Sequence, residues 1–100
     1  MYKFYIDGKE FLTDDFNNIP RHDISSLDEN TPAFENLETG YKRWCEKGNI
    51  WHRLTGPAII WSDGKEFWLN DQPYENVDEW LKYHPNQDEA FKKEMLKLWN

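Results

Sequence analysis

The chain has 100 residues, a net charge of −7 and a mean hydropathy of −1.00, so it makes one domain whose core must come from few side chains. Aromatic residues make up 17% of it, and large rings supply that core at roughly 150 to 250 Å² each. No run approaches the ~20 apolar residues of a membrane span, the basic residues are too few and scattered for an ordinary phosphate-backbone binder, and the single Cys45 excludes an internal disulfide or a multi-cysteine zinc site.

The opening residues MYKFYIDGKEF lack the continuous apolar region of a secretory leader, and the expected location is the cytoplasm of the cell that makes or receives the protein. Asp7-Gly8 suits a two-residue hairpin loop, because both central positions of a type I′ turn need positive φ. Counting outward from it sets Ile6 opposite Lys9, Tyr5 opposite Glu10 and Phe4 opposite Phe11, which assigns residues 1–12 to an N-terminal hairpin.

Periodicity fails over residues 13–40, which are expected to form an irregular acidic segment with short helical turns near 14–17 or 32–37. Seven acids (Asp14, Asp15, Asp23, Asp28, Glu29, Glu35, Glu38) stand there against Arg21 alone. Phe16, Ile19, Ile24, Leu27, Phe34 and Leu37 are expected to pin the segment over a sheet. Its carboxylates are the first candidate binding set, aimed at a basic protein surface.

Residues 41–75 read as further hairpins. Lys47-Gly48 is the expected turn of one, with Trp44 opposite Trp51 and Cys45 opposite Ile50. Asp63-Gly64 is the expected turn of the next, with Ile60 opposite Phe67 and Ile59 opposite Trp68. Alternation then collects Ala58, Ile60, Phe67 and Leu69 on one face, and Ile59, Trp61 and Trp68 on the other. Both faces are apolar, so each needs a cover or a partner. The runs YKRWCEKGNIWH and GKEFWLNDQPYE align at a spacing of 23 residues, and with Phe4 and Phe11 they make three copies of two aromatics flanking a turn.

His52 to Ile60, followed by Asp63-Gly64 and Phe67-Trp68-Leu69-Asn70, resembles the repeat H-R-x-x-G-P-A, D-G, aromatic-[WY]-x-N-G, which is found in small proteins of bacteriophages and large DNA viruses and is similar to MORN repeats. The likeness covers about residues 41–83 and departs from the pattern at Asp71 and at Glu75-Asn76. It implies short hairpins joined into a meander, no catalytic residues, and an accessory protein of phage type acting on a host component.

Residues 76–100 are expected to be helical. Asn76 and Glu79 fit a capping box before a helix that stops by His84, because Pro85 follows. A second helix from about Gln87 to Trp99, capped by the Asn86 to Glu89 signal, places Phe91, Met95, Leu98 and Trp99 on one side.

The fold class expected is therefore α+β, an antiparallel meander of short hairpins with an irregular acidic insertion and two short C-terminal helices. His22, His52 and His84 have no metal-ligand spacing, no nucleophile sits in a catalytic context, and neither enzyme activity, metal nor cofactor is expected. Cys45 reads as a small buried residue and His52 as the orienter of a turn. Three functions remain open: an inhibitor or modulator of a host protein with a basic surface, a nucleotide-sequestering protein using Trp61 and Trp68 with Arg53, Arg43 or His52 on the phosphate, and a nucleic-acid mimic occupying a basic groove. Direct nucleic-acid binding and membrane association are not expected, and the aromatic face could also join two copies of the chain.

Overall fold

A computed structural model describes all residues 1–100. The strands are β1 (Tyr2–Ile6), β2 (Lys9–Thr13), β3 (Phe34–Asn36), β4 (Lys42–Arg43), β5 (Cys45–Glu46), β6 (Ile50–Trp51), β7 (Ile59–Trp61), β8 (Gly64–Leu69) and β9 (Gln72–Tyr74). They are followed by helices α1 (Val77–Lys82) and α2 (Glu89–Trp99). Seven strands form one antiparallel sheet in the order β2-β1-β3-β4-β7-β8-β9, and β5 and β6 form a separate hairpin. This is the α+β architecture expected from the sequence.

The first hairpin has the expected register, with Asp7 and Gly8 at φ 50° and 79°. The last, between β8 and β9, turns through Asn70 and Asp71 at φ 47° and 69°, so that Phe67 faces Tyr74. Side-chain oxygens let Asn and Asp occupy the left-handed region that glycine fills elsewhere, and Asn70 and Asp71 both do so here.

Two registers differ from expectation. The hairpin of β5 and β6 has a three-residue loop, Lys47 to Asn49, so Cys45 rather than Trp44 faces Trp51. Trp44 leaves the ladder because its N–H bonds back to the Ala58 carbonyl at 2.7 Å. Between β7 and β8 the loop is Ser62-Asp63, neither at positive φ, and Gly64 already lies in β8 opposite Trp61. The glycine is needed there for closeness: an added Cβ would lie 3.0 Å from the Trp61 ring. Moving this loop back one residue shifts each partner by two positions, so the expected division of faces survives.

The segment 13–40 is more ordered than its composition suggests. Residues Phe16–Asn18 form a 3-10 turn, and 34–36 form a central strand between β1 and β4 rather than a helical turn. Ile19, Ile24 and Phe34 are buried as expected, whereas Leu27 and Leu37 remain exposed. In α2, Asp88 is the cap through its bond from the Ala90 N–H, two residues later than expected, and Leu98 faces solvent while Leu96 joins the core.

Following the register across the sheet, Phe4, Phe34, Arg43, Ile59 and Glu66 share one face, which puts Phe67 and Leu69 on the other. Ile19 and Ile24 cover the first face at its N-terminal end, and α1 and α2 cover the second at its C-terminal end through Trp80, Leu81 and Met95. The two cores therefore lie on opposite sides of the sheet, and the molecule is elongated, 42 × 26 × 19 Å. No helix is long and apolar enough to cross a membrane.

Candidate functional site

Beyond the cover of Ile19 and Ile24 the first sheet face stays open. Two adjoining hollows share Thr39 and Tyr41. One of about 450 Å³ is lined by Trp51, Ile59, Trp61, Ser62 and Glu66, and the other of about 330 Å³ by Tyr2, Phe16, Phe34, Asn36 and Arg43. Rings form much of the floor. Tyr2 stacks on Phe34 at 5.7 Å, and Trp51 meets Trp68 edge-on at 4.7 Å. Trp68 is the underlayer, its indole N–H bonded to Glu66 Oε1 at 3.1 Å, while Trp61 lies over Gly64. Both expected tryptophans are thus on the open face and partly exposed.

Arg43 sits where the hollows meet, its guanidinium carbon 5.2 Å from the Phe34 ring and 5.7 Å from the Trp51 ring. Its Nε is buried with no hydrogen-bond partner. The register explains why: Arg43 faces Phe34, so the adjacent Glu35 points to the other side and pairs with Lys3 at 3.9 Å. Glu66 is held by Trp68. A cation on an aromatic floor with no anion is equipped to receive one.

Arg53 is in the opposite condition. It is 6% exposed, its guanidinium carbon 3.8 Å above the Trp44 ring, with Nε donating to the Glu29 carbonyl at 3.0 Å and Nη1 to the Pro57 carbonyl at 3.2 Å. Burial pulls its pKa below the ordinary range, opposed by the nearby Glu29. The Glu29 carboxylate accepts the Leu54 and Thr55 N–H groups and the Thr55 hydroxyl at 2.8 to 2.9 Å. Gly56 admits the ring of Trp99, whose indole N–H bonds to the Thr55 carbonyl at 3.0 Å; an added Cβ would lie 2.7 Å from that ring. The HRLTGPA stretch therefore ties the acidic segment, the Trp44 corner and α2 together, and Arg53 lies inside that joint, away from the open groove.

The remaining expected residues are placed as follows. His52 orients a turn, its Nδ1 accepting the Asn70 N–H at 2.9 Å. Asp15 and Asp28 accept N–H bonds from Asn17 and Asn30 within their own turns. Asp14 and Glu38 flank the Met1 amino group at 3.8 and 3.3 Å, and Asp23 is exposed. Local turn chemistry thus holds Asp15 and Asp28, Asp14 and Glu38 meet at the Met1 amino group, and Glu29 is drawn into the joint. Cys45 is 1% exposed, and burial pushes its thiol up to about 11. His84, enclosed by Trp80 and Phe91, accepts the Asn86 N–H on Nδ1 and contacts the Leu54 carbonyl through Nε2 at 2.7 Å.

Sequence reasoning named Arg43 only among three cations for a phosphate. The signal that distinguishes it is its place two residues after Tyr41, which puts both on one face if the stretch is extended. Comparisons with family models, with curated proteins and with solved structures returned no match.

Proposed function

We propose that this protein is a non-enzymatic binding module that holds a partner protein in the open aromatic groove, with Arg43 receiving a carboxylate of the partner and Trp61 and Trp51 clasping an adjacent apolar side chain. The observation that carries this reading is the Arg43 guanidinium without an anion on a floor of rings. Aromatic residues and arginine are the side chains that anchor protein interfaces. The hollows are shallow and open along the sheet, whereas small-molecule sites enclose most of their ligand. The net charge of −7 speeds encounter with a partner whose surrounding surface is basic, and the exposed Asp14, Asp23 and Glu38 belong to that steering field. The phage-type resemblance makes a host protein the expected partner and inhibition or modulation the expected effect. Among the candidate nucleophiles and bases, the Cys45 thiol is buried and His84 is bonded at both nitrogens.

The test is an array of tiled host-protein peptides probed with the labelled protein and with its Arg43→Gln and Trp61→Ala variants. Segments carrying an acid beside an aromatic or branched aliphatic residue should be retained by the native protein and lost by both variants. An unchanged binding pattern in both variants contradicts the proposal. A nucleotide is the second reading, favoured by the same guanidinium beside the Trp51 ring; titration with ADP giving saturable, Arg43-dependent binding would move the assignment to it.

A further inference from the structure

The two edges of the seven-stranded sheet are unequal. At one edge is β9, where Leu69 faces Gln72 and Phe67 faces Tyr74 across a two-residue loop. Gln72 and Tyr74 therefore point their backbone groups inward, and Pro73 occupies the one outward position. Proline has no N–H, so this edge cannot be extended. The other edge is β2. Tyr5 N–H bonds to the Ala33 carbonyl and Leu37 N–H to the Met1 carbonyl, so odd-numbered residues of β1 point toward β3 and even-numbered ones toward β2. Lys9, Phe11 and Thr13 are thereby satisfied, and Glu10 and Leu12 turn their N–H and C=O groups to solvent. Phe11 and Leu12 are 42% and 55% exposed. An uncovered edge with apolar side chains is a template for strand pairing.

We propose that β2 pairs antiparallel with β2 of a second copy of this chain, with the twofold axis at Phe11. Only outward residues can exchange ladder bonds, which leaves three central registers. One sets Glu10 against Glu10 of the second copy and opposes like charges directly, and another sets Leu12 against Leu12 and pairs only residues 11–13 of β2 (Lys9–Thr13). The third sets Glu10 against Leu12, Lys9 against Thr13 and Phe11 against Phe11, and it keeps the acids apart. It also extends the Phe4 and Phe11 stack, 5.5 Å between centroids, into a run of four rings across the dimer. The contact is isologous and closes on itself, so association stops at two. The axis of an antiparallel pair is perpendicular to the sheet, so both aromatic grooves open on the same side of a fourteen-stranded sheet.

Sedimentation velocity from about 1 to 500 µM tests this without reference to any groove ligand. The native chain should shift from monomer to dimer across this range, and Leu12→Pro, which removes an outward N–H and no bond to β1, should stay monomeric while keeping native circular dichroism. Phe11→Cys places two thiols at a non-hydrogen-bonded pair about 4.5 Å apart between Cα atoms, within disulfide reach. It should form a covalent dimer in a glutathione redox buffer, whereas Lys9→Cys should not. A native chain monomeric at 500 µM overturns the proposal, as does a dimer that survives Leu12→Pro. A dimer lost in Trp61→Asp but retained in Leu12→Pro also overturns it, by assigning the contact to the groove. Failure of Phe11→Cys to cross-link overturns the register.

Discussion

Two arginines ten residues apart lie over aromatic rings in this protein and do opposite things. Arg53 is closed in, with carbonyl acceptors for Nε and Nη1, the Trp44 ring beneath it and Trp99 beside it. Arg43 lies between Phe34 and Trp51 with nothing to bond. The chemistry of the side chain is the same, so the difference comes from what reaches it: the Glu29 and Pro57 backbone carbonyls turn to Arg53, whereas no acceptor and no acid turns to Arg43. Glu29 is spent on the Arg53 joint, Glu35 is turned to the far side of the sheet by the register of β3, and Glu66 is held by an indole. A motif-borne arginine became architecture, and the inconspicuous one was left available.

The largest expected effect breaks the joint. Arg53→Ala should cost about 3–5 kcal/mol, because it removes two hydrogen bonds from a charged donor to the Glu29 and Pro57 carbonyls, each about 1.5–3 kcal/mol, a large share of the roughly 5–15 kcal/mol that holds such a domain. Urea unfolding measures it, and Glu29→Ala should be severe for the related reason that it strands the Leu54 and Thr55 N–H groups.

Gly56→Ala comes next, at about 1–3 kcal/mol of overpacking, because its Cβ would meet the Trp99 ring. The cost should shrink in a Trp99→Ala background, and a double-mutant cycle reports the coupling. Equal costs in both backgrounds would mean that Trp99 is not what the glycine admits.

Cys45, between the two arginines in sequence, gives a subtler readout. Its thiol pKa is raised from the ordinary 9.0 to about 11 by burial, so native alkylation at pH 8 should run about 100-fold slower than in urea from thiolate fraction alone. Because the folded pKa is the higher one, the associated stability is complete below pH 9 and declines as pH rises toward 11. A Cys45→Ala variant should lose that part of the alkaline decline. Trp61→Ala, on the open face, should cost less stability than any change in the joint.

Much of the architecture could be read from local signals. The Asp7-Gly8 turn, the Asn76 cap and the proline after His84 each act within a few residues. The unread parts depended on distant partners. Phe34-Glu35-Asn36 is too short to show periodicity and is a strand only because β1 and β4 flank it. Trp44 fell out of its hairpin because Ala58 took its N–H, and Gly64 served the approach of Trp61 instead of a turn. The open face with Trp61 and Trp68 was legible from alternation. That Arg43 rather than Arg53 would be its free cation was not, since that follows from which way Glu35 points and from the Glu29 and Pro57 carbonyls that reach Arg53 once the sheet is assembled.

The most direct test compares Arg43→Gln and Arg53→Gln by urea unfolding under one set of conditions. At Arg43, losing weak contacts to two rings is offset by removing a buried N–H without a partner, so stability should change by no more than about 1 kcal/mol in either direction. At Arg53 two hydrogen bonds from a charged donor to buried carbonyls are lost, and the loss should be about 3 kcal/mol or more. If Arg43→Gln destabilises as much as Arg53→Gln, Arg43 is a second structural joint and the groove loses the free cation on which the binding proposal rests.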